Sequence, residues 1–199
     1  MRIIAGEKRS RVLCAPAGNE TRPTADKVKE ALFSILGARV PGARVLDLYA
    51  GSGALSLEAL SRGAESACLV DRDRKAAEAI RKNITALDYA GKARFLPWSD
   101  REAVARLKKE NARFDLVFLD PPYRMEIGPI CAMLADAGLL EEGASVVAEH
   151  LKEKKPCADG RFEVTDERRY GITGLTLFRF RAEGTEQAEQ YETGRENDE

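Results

Sequence analysis

From Arg44 onward, short apolar runs alternate with stretches of helical period, and this alternation constrains the fold more than any other feature of the chain. Strands are expected at Val45–Tyr49, Ala67–Asp71, Arg94–Leu96, Asp115–Asp120 and Ser145–Glu149. Helices are expected near Leu55–Ser61, Arg74–Leu87, Glu102–Lys109 and Glu126–Ala137. Two later apolar segments, Phe162–Thr165 and Leu175–Phe180, flank Tyr170-Gly171-Ile172-Thr173-Gly174 with no helical pattern, as an antiparallel pair would. Repeated strand–helix units imply a doubly wound, mostly parallel α/β sheet; the closing hairpin makes it seven-stranded with one reversed strand.

Ahead of this core, Ile3-Ile4-Ala5-Gly6 and Val12-Leu13 flank Lys8-Arg9-Ser10-Arg11, the pattern of a hairpin around an exposed basic turn. Pro23 then suits the start of a helix in which Val28, Ala31, Leu32, Ile35 and Leu36 share one face before Gly37. Residues 1–37 thus form a small hairpin-and-helix extension of a single domain spanning residues 1–181. Residues 182–199 hold seven acidic residues, one basic and one aromatic, which is too polar to bury a core and is expected to be a disordered acidic tail. Without it, the body carries about five more positive than negative charges, mildly favourable to RNA.

Cys14, Cys68, Cys131 and Cys157 are scattered without a C-x-x-C pair, and His150 is the chain's one histidine, so no metal site is expected. With no secretion signal and no membrane-length apolar run, the thiols suit a cytoplasmic protein with no membrane partner.

The first core strand runs into Ala50-Gly51-Ser52-Gly53-Ala54, giving D-x-x-x-G-x-G at a strand-to-helix turn, where glycines let the backbone bend sharply and a ligand approach. Asp71, about 20 residues on, ends the next strand, where an acidic side chain accepts hydrogen bonds from ribose hydroxyls. A dinucleotide fingerprint needs a third glycine where this chain has Ser56, so a pyrophosphate is poorly supported. Asp47 suits the ammonium of a methionine moiety better than a phosphate; the plainer alternative is a helix cap or a loop hydrogen bond. Trp98-Ser99-Asp100 follows the third strand, and Asp100 could accept from an adenine amine, cap the next helix, or do both.

The fourth strand ends in Asp120-Pro121-Pro122-Tyr123. Consecutive prolines fix φ and remove two backbone donors, leaving carbonyls and a carboxylate as a surface that only accepts hydrogen bonds. An exocyclic base amine needs such a surface, because its lone pair is delocalised until acceptors grip its hydrogens; Tyr123 offers a ring to stack on an extruded base. The plainer alternative is a rigid Pro-Pro turn that ends the strand.

Val45–Gly53, Asp71 and Asp120–Tyr123 together resemble class I S-adenosylmethionine-dependent methyltransferases with a D-P-P-[YF] motif. Met1-Arg2-Ile3-Ile4-Ala5-Gly6, Leu13, Ala15-Pro16, Arg22-Pro23-Thr24, Asp26, Val28 and Glu30-Ala31-Leu32-Phe33 resemble, more narrowly, the RsmD-type 16S rRNA guanine-N2 methyltransferases, from Met1 to about Arg181. That resemblance implies a Rossmann-like fold, S-adenosylmethionine as donor, and a guanine of 16S rRNA as target, presented in an assembling small ribosomal subunit. Asp47, Gly51, Gly53 and Asp71, with neighbouring Tyr49, Ser52, Arg72 and Asp100, form the expected cofactor set, and Asp120, Pro121, Pro122 and Tyr123 the catalytic set. Lys8, Arg9, Arg11 and Arg22 are the expected RNA contacts, the first three lying in a run that could also be a merely solvated turn. A monomer is expected; Glu149 and His150 receive no role. The competing functions are adenine-N6 methylation of DNA or RNA, nicotinamide-dependent oxidoreduction, and non-catalytic RNA binding.

Overall fold

The structure, a computed structural model, describes residues 1–16 and 23–182. Its core elements run in chain order: α1 (Pro23–Leu36), β1 (Arg44–Asp47), α2 (Ala54–Ser61), β2 (Ser66–Val70), α3 (Arg74–Ala86), β3 (Ala93–Leu96), α4 (Asp100–Lys109), β4 (Phe114–Leu119), α5 (Ile127–Asp136), β5 (Leu140–Leu151), β6 (Phe162–Tyr170) and β7 (Thr173–Phe180). The strands form one seven-stranded sheet in the order β3-β2-β1-β4-β5-β7-β6. All pairs up to β5 are parallel, and β7 runs antiparallel to both β5 and β6.

Alternation along each strand divides the core into two layers. Val45, Phe118, Val147 and Leu177 pack with Leu32, Phe33, Leu57 and Ile80 on the face covered by α1, α2 and α3. Leu46, Val117, Val146 and Phe178 pack with Val104, Leu107, Ile130 and Leu134 under α4 and α5. Strand order reverses between β1 and β4, and their carboxyl ends bound a crevice of the kind in which doubly wound sheets hold ligands.

Two strands extend well past their apolar signal. β5 reaches Leu140 and Leu151 because it pairs on both edges, with a register shift near Phe114 in its β4 partner. β6 continues through Asp166-Glu167-Arg168-Arg169-Tyr170 because it is an edge strand, paired only with β7, and its backbone ladder tolerates charged side chains in solvent.

The N-terminal segment is a short hairpin with one Arg2–Val12 bridge, closed by Ile3 N–H to Arg11 O and Leu13 N–H to Met1 O. Buried Glu58 of α2 fastens its first arm: the carboxylate accepts the Ile4 and Ala5 amides at 2.8 and 3.0 Å, Lys29 Nζ at 3.1 Å and Arg62 Nε at 2.8 Å. Asn83 of α3 fastens the second arm, accepting the Cys14 amide at 2.8 Å and donating to the Cys14 and Ser52 carbonyls. Gly6 turns between them at φ 84°, where a Cβ would overlap the Ser61 carbonyl. No helix of the described residues is long and apolar enough to cross a membrane.

Candidate active site

At the carboxyl ends of β1 and β4 lies a cleft of about 640 Å³. Its wall includes Asp47, Tyr49, Gly51 and Ser52 from the glycine turn, Leu119, Asp120 and Tyr123 from the β4 loop, and Val147 and Glu149 of β5. Met1, Ala15, Pro16, Val28, Lys29 and Leu32 close one side, and the β6–β7 turn, Tyr170–Thr173, closes another.

Gly51 and Gly53 adopt φ 57° and 79°. A Cβ on Gly53 would sit 2.8 Å from Leu69 Cδ2, so packing under the turn excludes a side chain there. A Cβ on Gly51 would meet nothing within 4 Å; that glycine is required by its backbone angle and faces open space. Asp71 does not line the cleft but braces the turn beside it. Its Oδ2 accepts the Gly51 amide at 2.8 Å and its Oδ1 the Asp73 amide at 2.9 Å, leaving each oxygen further accepting capacity toward a ligand.

Asp47 is 2% exposed, and its Oδ2 accepts Ser56 Oγ at 3.0 Å. Ser56 thus replaces the third fingerprint glycine with a hydroxyl that serves Asp47. Burial pushes the Asp47 carboxyl up to about 7 against that hydrogen bond, with the charges of Asp120 and Asp71 adding to the rise. Burial likewise lifts Asp120 to about 6, and lifts Glu149 to about 7 with help from Asp120's charge. Asp120 is itself exposed at the cleft mouth, so its carboxyl, though crowded by neighbouring protein, is accessible to a substrate.

Tyr49 Oη donates to Asp100 Oδ2 at 2.8 Å, and burial followed by that bond holds the phenol well above its usual range. The α4 cap is Ser99, whose Oγ accepts the Glu102 amide while Glu102 returns a bond to the Ser99 amide. Asp100 is therefore not the N-cap, and capping is removed from its two expected roles. Arg72 is exposed just beyond Asp71, away from the cleft wall. Pro121 is buried, Pro122 exposed, and Tyr123 is 43% exposed at the cleft edge.

The basic turn is not beside the cleft. Glu7 N–H bonds the Ser61 carbonyl at the far end of α2, Lys8 Nζ lies over the Tyr89 ring at 5.6 Å, and Arg11 reaches the Ala86 carbonyl at the end of α3. The open ends of the hairpin, Met1 and Ala15-Pro16, border the cleft instead. Glu58 and Asn83, whose side chains are hidden by folding, fasten both arms so that the basic tip lies by the C-terminal ends of α2 and α3, away from the cleft. Arg22 and the acidic segment from Glu183 lie outside the described residues.

Sequence reasoning assigned nothing to Glu149, which ends an apolar run and whose charge there was its only signal. His150 points to the other face: its Nδ1 lies 2.8 Å from the Leu151 carbonyl, which can only accept, and its Nε2 lies 2.9 Å from Thr176 Oγ1. It packs over Gly174, where a Cβ would collide with its ring, and is a structural residue.

Among known proteins, the family profile described as "Conserved hypothetical protein 95" matches residues 1–179. The ribosomal RNA small subunit methyltransferase D of Escherichia coli K12 is 34% identical over 191 residues, covering 95% of this chain and 94% of its own. YlbH of Bacillus subtilis strain 168, provisionally named an rRNA methyltransferase, is 39% identical over 183 residues, covering 91% of this chain and 100% of its own. A solved structure from Thermus thermophilus superposes with a TM-score of 0.75 at 32% identity, covering 89% of this chain and 98% of that one. With the glycine turn, the D-P-P-Y loop and the acidic cleft all within the matched span, the chain belongs to this family, the RsmD-type rRNA methyltransferases.

Proposed function

We propose that this protein methylates the exocyclic N2 amine of a guanine in 16S rRNA, using S-adenosylmethionine, within an assembling small ribosomal subunit. The observation that carries the reading is the sign and shape of the cleft. Asp47, Asp120 and Glu149 converge on it, while Lys29 is already held by Glu58 and the Arg2 carbonyl. Such a site repels a pyrophosphate and favours a ligand with positive charge, which fits a sulfonium cofactor bearing an ammonium and disfavours a nicotinamide dinucleotide. The open face of Gly51 gives that ligand a place to approach the backbone.

When bound, the cofactor supplies an electrophilic methyl group. Asp71 is suited to the ribose hydroxyls, Asp100 to the adenine amine, and Asp47 with the Gly51–Gly53 backbone to the amino-acid end, with Tyr49 fixing the position of Asp100. Asp120, in an acceptor-only loop with the carbonyls beside Pro121 and Pro122, accepts a hydrogen of the target amine. This frees the nitrogen lone pair and leaves a carboxylate next to the positive charge that develops on nitrogen. Tyr123 is exposed enough to stack on an extruded base.

The test is transfer of radiolabel from methyl-labelled S-adenosylmethionine to small subunits lacking the modification, followed by nucleoside identification. N2-methylguanosine is the expected product. N6-methyladenosine would move the assignment to adenine, and RNA binding without label transfer would leave a non-catalytic module.

A further inference from the structure

Glu149 has no part in the chemistry above, yet it stands on the cleft wall and also lines the adjoining pocket beneath Tyr123. The register of β4 and β5 puts Leu119 opposite Ala148, so the next residues, Asp120 just past the end of β4 and Glu149 within β5, fall side by side on the same face of the sheet. Strands so paired lie about 4.8 Å apart, which brings the two carboxylates to the span of one base edge. Among the described residues, neither has a hydrogen-bond or ion-pair partner.

We propose that Glu149 is the residue that selects guanine, its carboxylate accepting the base N1–H and the adjacent N2–H as a pair while Asp120 accepts the other N2 hydrogen. The inference rests on the proposed methyl transfer and names what determines its base. Guanine's Watson–Crick edge carries N1–H beside two N2 hydrogens, so two acceptor-only groups are both satisfied by one base. Adenine offers its N6 hydrogens beside a bare N1 lone pair, which the Glu149 carboxylate repels once it is ionised, above about pH 7. Burial raises the Glu149 carboxyl and the charge of Asp120 adds to the rise, and a ligand that brings donors to both carboxylates relieves that repulsion. Other groups lining the cleft nearby do not substitute: Tyr170 comes from the neighbouring turn, and Lys29 is committed to Glu58.

The test compares small subunits carrying guanine or adenine at the position labelled by the wild-type enzyme. Glu149→Gln should retain its thermal unfolding transition but lose guanine preference. Its amide can accept from adenine N6–H while donating to N1, so the guanine-to-adenine ratio of kcat/KM should fall by about tenfold to a hundredfold, the scale of one bidentate base contact. An unchanged ratio in a folded variant overturns the assignment. Should Glu149→Gln fail to fold, the wild-type enzyme decides the matter alone on subunits reconstituted with 2-aminopurine at the target, which keeps the N2 amine but lacks N1–H together with the C6 carbonyl, a group that no acceptor-only carboxylate reads. Methylation at least tenfold slower than with guanine supports Glu149 as the reader, and an equal rate refutes it. Wild-type enzyme that produces no N2-methylguanosine on the guanine particles would instead defeat the functional reading on which the inference rests.

Discussion

Replacing Asp47 by asparagine should flatten the pH dependence of folding stability in the ligand-free protein. Asp47 is 2% exposed, and its carboxyl rises from 3.8 to about 7, chiefly through burial. The folded protein therefore retains a proton that the unfolded chain releases between about pH 4 and pH 7. Stability falls as pH climbs through that window and levels off above it. At about 1.36 kcal/mol per pH unit, the Asp47 contribution lost between pH 5 and pH 8 is about 2–3 kcal/mol. In a chain of this length that is about 5–10 °C in melting temperature. The introduced amide can still accept the Ser56 hydroxyl, and any cost of burying its hydrogens is the same at both pH values, so the pH dependence isolates the charge. Urea unfolding of both proteins at pH 5 and pH 8 reads the effect directly. If the two lose equal stability over that interval, the buried-charge account of the cleft is wrong. A cationic ligand should stabilise wild type more than Asp47→Asn at pH 8, because it offsets a charge the variant lacks.

Asp120→Ala should still bind S-adenosylmethionine while methyl transfer falls by about two to three orders of magnitude, with Asp120→Asn intermediate; single-turnover rates check this, and a wild-type rate in folded Asp120→Ala would remove Asp120 from catalysis. Asp71→Ala should weaken cofactor binding by at least tenfold, since about 1.5–3 kcal/mol attends each hydrogen bond to a charged group and the brace on Gly51 is also lost; normal affinity by calorimetry would contradict it. Glu58→Gln should destabilise the fold by about 3–5 kcal/mol by leaving Lys29 buried beside a neutral partner, and a loss below about 1 kcal/mol in denaturant titration would show the cluster to be dispensable. Neutral replacement of Lys8, Arg9 and Arg11 should reduce the salt dependence of RNA binding without changing cofactor affinity. Identical RNA affinity across salt would leave the turn simply solvated.

Elements with a strong internal period were legible: α3 and β4 lie within a residue or so of their expected limits. What the pattern could not supply depends on neighbours. The charged half of β6 forms a strand only because β7 offers a ladder, and β5 is long only because it is paired on both sides. At the site, residues that a local motif brings to the cleft could be picked from the sequence, as with Asp47, the glycine turn and the D-P-P-Y loop. Glu149 meets Asp120 through a register between strands far apart in the chain, which no local spacing reveals. Asp71 and Ser99 show a subtler limit, because an acceptor's partner can be a backbone amide whose position is known only once the turn is built.

The fastening of the hairpin by Glu58 and Asn83 also imposes an order on assembly. Ile4 and Ala5 meet a carboxylate 54 and 53 positions downstream, and Cys14 an amide 69 positions downstream. During synthesis Ile4, Ala5 and Cys14 leave the ribosome well before their anchors exist, so one wall of the cleft stays undocked until α2 and α3 have emerged. A segment made well ahead of its anchors is thus late to acquire its native contacts, and the nascent protein acquires a complete cofactor pocket only after much of the sheet has been translated.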